Sequence, residues 1–125
     1  MSSSLKLFIF FYRLQMCLKM YHFQTPSYAR HIASGTLEDA VHTTTDKFLE
    51  VYQGKYGKIT NTAEFSIPVT SFSATQIVAF LKEAKIFLES LVEQGILDKS
   101  DTDLLNIRDD LVGTINQTLY LFTFQ

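Results

Sequence analysis

The sequence predicts an all-α protein, a four-helix bundle with a long crossover between its second and third helices. Four segments with helical apolar periodicity and capping residues predict the helices. Short links join the first helix to the second and the third to the fourth, whereas the connection over 55–72 is long. The 125 residues fit a single domain spanning 1–125.

The first predicted helix covers about Ser4 to Phe23 and has apolar residues around most of its circumference, so neighbouring elements must cover several sides. Lys6, Arg13 and Lys19 interrupt the apolar run. No uncharged stretch approaches the roughly 20 residues of a membrane span, and no small-residue cleavage site follows. We therefore expect a cytoplasmic or otherwise intracellular protein with neither a signal peptide nor a transmembrane span.

The second predicted helix begins with Thr25 as its N-cap and Pro26 at its first helical position, and it ends at Gly54. A helical wheel separates it into two faces. One face is apolar and is predicted to face the bundle core: Leu37, Val41, Phe48 and Val51, flanked by Ala33 and Tyr52. The opposite face is mostly polar: Gly35, Asp39, His42, Asp46 and Glu50, with His31 at its margin.

The third predicted helix starts at Ser73, the first residue of the capping box Ser-Ala-Thr-Gln, and ends at Gly95. The fourth starts near Ser100, with two aspartates in its first turn, and continues to about Thr123. At about 3.3 Å per residue, the connection over 55–72 is long enough to travel the length of a helix. One such crossover between two short links is typical of a ferritin-like bundle. A short strand over 64–69 is an alternative structure for part of this connection.

The polar face of the second helix favours metal binding between subunits. Asp46 and Glu50 are four residues apart, so their like charges repel unless a cation or a partner compensates. Carboxylate oxygens together with imidazole suit Fe(II), Mn(II) or Zn(II). His31 lies about 22 Å from Asp46 along the helix, so the two can share an ion only across an antiparallel two-fold contact. The sequence contains no Glu-x-x-His pair, which argues against a diiron site inside the bundle. The alternative is a solvated helix face.

The segment from Tyr21 to Gln24, together with His31 and the segment from Asp46 to Glu50, resembles the ferroxidase motif of Dps-type mini-ferritins. The resemblance implies that His22 and His31 bind iron from one chain, and that Asp46 and Glu50 bind it from the two-fold mate. It also implies oxidation of Fe(II) by peroxide or O₂, storage of the mineral, and a homo-oligomer between a dimer and a dodecameric cage.

This sequence has Gly35 where the family has a further carboxylate ligand, and Asp39 or His42 is the candidate replacement. The link between the two histidines is also shorter than in the family. These departures motivate an alternative: a non-enzymatic ferritin-like structural or interaction protein that has lost the metal site.

Composition excludes several other functions. The net charge is −2, and no basic tail is present, so we expect no DNA binding. The single Cys17 cannot form an internal disulfide and fits a reducing compartment. A Ser-His-Asp arrangement, a Gly-rich phosphate loop and a Cys-x-x-Cys pair are all missing from the sequence, which leaves hydrolase and nucleotide-binding functions without support.

Overall fold

The computed structural model describes residues 1–124, which fold into four helices. The helices are α1 (Ser3–Gln24), α2 (Tyr28–Tyr56), α3 (Ala74–Glu89) and α4 (Thr102–Leu121). The prediction of an all-α, four-helix protein is confirmed. The alternative of a short strand over 64–69 is wrong, because the described residues contain no strand. None of the helices within 1–124 combines the length and apolarity that crossing a membrane requires.

The start of α2 lies two residues after the predicted start at Pro26. Ser27 is the N-cap, and its hydroxyl accepts a hydrogen bond from the backbone N–H of Arg30 at 3.2 Å. Thr25 is instead the C-cap of α1, where its hydroxyl accepts from the backbone N–H of Ser27. Both residue types cap helices well, and the sequence alone did not decide between them.

Two helix ends also differ from the prediction. The second helix continues through Gly54 and stops before Gly57, whose φ of +95° is a conformation that glycine adopts without steric cost. The capping box at Ser73 is confirmed, but α3 ends at Glu89. Gly95, at φ +72°, belongs to the turns that follow. Glycines in the sequence indicate that a helix ends nearby, but they do not specify which glycine lies at the end.

The connection over 57–73 returns along α1. The ring of Phe65 packs on Phe8 near the start of α1, at 5.8 Å between centroids. Further along, the carbonyl of Pro68 accepts from Arg13 Nε at 3.0 Å. At the far end, Arg30 in the first turn of α2 donates to the carbonyl of the first residue of α3 at 2.8 Å. The starts of α2 and α3 therefore lie at the same end of the molecule, and the two helices run in the same direction.

The core lies between the four helices and is mainly apolar. Its largest fully buried side chains are Phe11, Phe48, Leu7, Leu14, Leu18, Leu37, Ile77, Leu81, Leu88, Leu91, Leu104 and Leu111. The predicted core face of α2 is buried as expected, except that Val51 is half-buried. Cys17 is buried and free. This core fixes the direction of the opposite, polar face of α2.

Asp101 joins the end of α2 to the start of α4. Its carboxylate accepts from the hydroxyl of Tyr56, from Lys55 Nζ at 3.0 Å and from the backbone N–H of Asp98 at 2.9 Å. Only 9% of the side chain is exposed. The hydrogen bond from Tyr56, followed by that from the Asp98 backbone, lowers the pKa of Asp101 below its ordinary value. The carboxylate therefore ties three chain segments together.

Replacing Asp101 with alanine is expected to lower the free energy of unfolding by about 2–4 kcal/mol, because two donors at the end of α2 and one backbone N–H in the turn before α4 lose a charged acceptor. In the wild type, this contribution is present above the unfolded-state carboxyl pKa of about 3.9 and is lost as the pH falls through the lower folded-state value. Urea unfolding at pH 7 and near pH 3 measures both effects. Asp103→Ala is the control, because Asp103 also contacts Lys55 but is half-exposed. The free energy of unfolding should fall clearly less in this variant than in Asp101→Ala. Equal losses for the two variants would contradict the role of Asp101.

Candidate metal centre

The polar face of α2 is exposed as predicted. Asp39, His42, Asp46 and Glu50 are exposed, whereas His31 and Gly35 are half-buried where α1 approaches. His22, at the end of α1, lies beside them. We call the surface formed by His22 and these six α2 residues the outer face. It faces away from the core and carries every site residue that the sequence predicted.

His22 and His31 form a stacked pair. Their ring centroids are 3.9 Å apart, and the ring planes differ by 16°. Nδ1 of His22 lies 2.7 Å from the backbone oxygen of His31, and Nδ1 of His31 lies 2.8 Å from the backbone oxygen of His22. A carbonyl oxygen only accepts, so each Nδ1 carries the proton. In the neutral rings both Nε2 lone pairs are then free, which is the arrangement that metal-ligating histidines adopt.

The stacked rings direct their Nε2 lone pairs to separate positions. A lone pair lies in the plane of its imidazole ring, and two nearly parallel planes do not converge on one nearby ion. Within residues 1–124, no three His, Cys, Asp or Glu side chains lie close enough to hold a metal ion. The pair as placed therefore offers one imidazole nitrogen to each of two ions.

Gly35 makes room for the ring of His22. A Cβ at this position would lie 2.8 Å from Cε1 and 3.0 Å from Nδ1 of His22. Such contacts are shorter than van der Waals packing tolerates, so any other residue here displaces the ring. The resemblance to mini-ferritins predicts that Gly35 replaces a metal ligand, and the structure adds a steric role for Gly35 in the histidine pair.

Gly35→Ala is expected to break the hydrogen bond from His22 Nδ1 to His31 while leaving the helix intact. Imidazole ¹⁵N chemical shifts measure the tautomer of each ring and report this loss directly. Gly54→Ala is the control, because a Cβ there meets no atom within 4 Å. The control should gain about 0.5–1 kcal/mol of helix stability with unchanged histidine signals. Unchanged His22 signals in Gly35→Ala would contradict the steric role.

Two polar contacts join α1 to α2 near the middle of the outer face. Lys19 Nζ lies 3.8 Å from Oε2 of Glu38, a side chain that is largely buried. Nε2 of Gln15 lies 3.0 Å from Nδ1 of His42. In this orientation of the Gln15 amide, its nitrogen donates to Nδ1 of His42 and its buried Oε1 has no hydrogen-bond partner among the described residues, so Nε2 of the exposed His42 carries the proton. His42 therefore has the opposite tautomer from the stacked pair, and its outward nitrogen is a hydrogen-bond donor.

Asp46 and Glu50 lie at the other end of the outer face. They border an open depression of about 290 Å³, whose walls include Tyr12 of α1 and Ile59 of the connection. Neither carboxylate has a hydrogen-bond or ion-pair partner among the described residues. The structure thus brings His22 and His31 together but keeps them apart from the two carboxylates of the same chain.

These features define an all-α protein whose outer face carries imidazole and carboxylate side chains. The chain belongs to DUF5856, a family of unknown function, whose model matches residues 22–122. The matched range includes the histidine pair and both carboxylates. No curated protein matches the chain, and no solved structure matches it either.

Proposed function

We propose that this protein is a Dps-like mini-ferritin that binds Fe(II) between two chains and oxidises it with peroxide or O₂. The observation that carries the proposal is the pair of reciprocal hydrogen bonds between His22 and His31. These bonds leave two imidazole Nε2 atoms free at a partly exposed position. Soluble proteins use this device, an Nδ1–H held by a carbonyl, to orient histidine towards a metal.

The carboxylates of a second chain complete the site in this proposal. An antiparallel two-fold contact along α2 brings Asp46 and Glu50 of one chain to the histidine pair of the other. The contact offers anionic oxygen ligands to ions that are also held by neutral imidazoles, a combination that suits Fe(II). It also relieves the repulsion between the two carboxylates. The long connection that returns along α1, with α2 and α3 in the same direction, favours a ferritin-like bundle.

The chemistry requires only positioned ligands. Two Fe(II) ions each lose one electron, and one peroxide takes up both electrons and two protons to give two waters. With one free Nε2 on each ring, the pair offers a ligand to each of two ions, the number that a two-metal site holds. The ferric product is then available for storage as a mineral.

The test is anaerobic Fe(II) mixed with protein and then with peroxide, followed by iron(III) absorbance. We expect a rate well above that of a protein-free solution and saturation with added Fe(II). Zn(II) or Mn(II), which suit the same ligands, should compete. A rate equal to that of the protein-free solution would contradict the proposal.

One observation favours a second candidate, a non-enzymatic ferritin-like structural or interaction protein. The His22 ring fills the space above Gly35, and both histidines bond to backbone across the α1–α2 turn, so the pair also stabilises the fold. Anaerobic titration calorimetry with Fe(II) distinguishes the two candidates. Saturable binding supports the mini-ferritin, and no heat of binding supports the structural protein.

A further inference from the structure

We propose that Asp39 of each chain pairs with His42 of a second copy, at the two-fold axis of a self-association surface formed by the outer face. The inference rests on the proposed function, because the inter-subunit iron site sets the register of the two chains. It adds a contact that holds no metal and specifies how the two copies align. The pair occurs twice in the dimer, once on each side of the axis.

The position of the axis follows from the register. When two copies of one helix pack antiparallel about a two-fold axis, a residue of one copy faces a different residue of the other. The axis passes each helix at the sequence position halfway between those two residue numbers. If His31 meets Asp46 and Glu50 of the mate, the crossing point lies within 38–41. Asp39 lies within this segment and His42 borders it, and both are exposed. Residues beside the axis stay close at any crossing angle, whereas the helix ends diverge.

The two side chains have complementary chemistry. The exposed Nε2 of His42 carries a proton, because Gln15 donates to Nδ1 of the same ring. The carboxylate of Asp39 is exposed and has no hydrogen-bond or ion-pair partner within residues 1–124. A donor and an anionic acceptor therefore meet across the axis, as in charge-assisted hydrogen bonds.

With Fe(II) held between the chains, the outer face is complementary to itself, so the occupant is a second copy of this chain. One half carries the histidine pair beside exposed rings: Phe23 lies 5.7 Å from the ring of His22, and Tyr28 lies 6.4 Å from that of His31. The other half carries the two unpaired carboxylates, Asp46 and Glu50. A two-fold rotation places each half on the opposite half of the mate, as an isologous interface requires. The Nε2 lone pairs and the carboxylates are all acceptors, so the metal ion between them completes this part of the contact.

A charge swap tests the pairing in protein saturated with Zn(II), which suits the same ligands as Fe(II) and has no redox chemistry. His42→Asp gathers four carboxylates at the axis, and we expect association to weaken by at least about tenfold. Asp39→His leaves two imidazoles on each side and should weaken it as well. The double variant Asp39→His/His42→Asp restores a donor opposite an acceptor in both pairs, so the association constant should return towards the wild-type value. Gln117→Asp adds the same charge at an exposed position of α4 and should have no effect.

Sedimentation velocity over a dilution series gives the association constants, and circular dichroism confirms that each variant folds. Recovery in the double variant supports the pairing. If His42→Asp associates like the wild type, or if the double variant stays as weak as the single ones, the pairing is wrong while the inter-subunit iron site still stands. A wild type that is monomeric with and without Fe(II) overturns the pairing and the inter-subunit site together.

Discussion

Fe(II) oxidation by peroxide is expected to fall to the protein-free rate when Asp46 and Glu50 are both replaced by alanine. In the proposed site these carboxylates are the anionic ligands, and neutral imidazoles alone leave the charge of two Fe(II) ions uncompensated. Both side chains are exposed and have no partner among the described residues, so the double variant should fold normally. Removing two like charges four residues apart should even stabilise α2 by a few tenths of a kcal/mol.

The matched control is Glu89→Ala/Glu93→Ala. It also removes two exposed carboxylates four residues apart, but at the end of α3 and in the turn that follows. This variant should oxidise Fe(II) at the wild-type rate, which separates the loss of specific ligands from the loss of negative charge. Stopped-flow absorbance of iron(III) measures both variants. Equal rates for the wild type and Asp46→Ala/Glu50→Ala would contradict the assignment of the carboxylates.

The faces of α2 could be predicted because burial follows the helical period. Leu37, Val41 and Phe48 repeat at intervals that place them on one side, and the structure buries all three. The helix ends were less predictable, because several local signals compete there. Thr25 and Ser27 are both good caps, and only the path of the chain between α1 and α2 decides which of them starts the helix.

The geometry of the histidine pair could not be predicted, because it depends on contacts between two helices. The short link does indicate that His22 and His31 lie near each other, since each is within a turn of its helix end. It does not specify the stacking, the bonds to backbone or the steric role of Gly35. The tautomer of His42 likewise depends on Gln15, which lies on the other helix and is far away in sequence.

Two inactive variants are expected to restore activity when they share a dimer. One variant, His22→Gln/His31→Gln, lacks the imidazoles but keeps an amide that can donate to each carbonyl. The other, Asp46→Ala/Glu50→Ala, lacks the carboxylates. In a mixed dimer one site combines both defects, whereas the second has intact histidines from one chain and intact carboxylates from the other. Random assortment of equal amounts then gives about a quarter of the wild-type rate, since half of the dimers are mixed and half of their sites work.

Coexpression of the two variants and the peroxide assay measure this recovery directly. Each variant expressed alone provides the baseline, and a circular dichroism spectrum like that of the wild type shows that the glutamine variant is folded. If all ligands came from a single chain, every chain in the mixture would lack part of its site, and the rate would stay at the baseline. Recovery therefore distinguishes ligands shared between two chains from ligands on one chain, which the loss of activity in either variant alone cannot do.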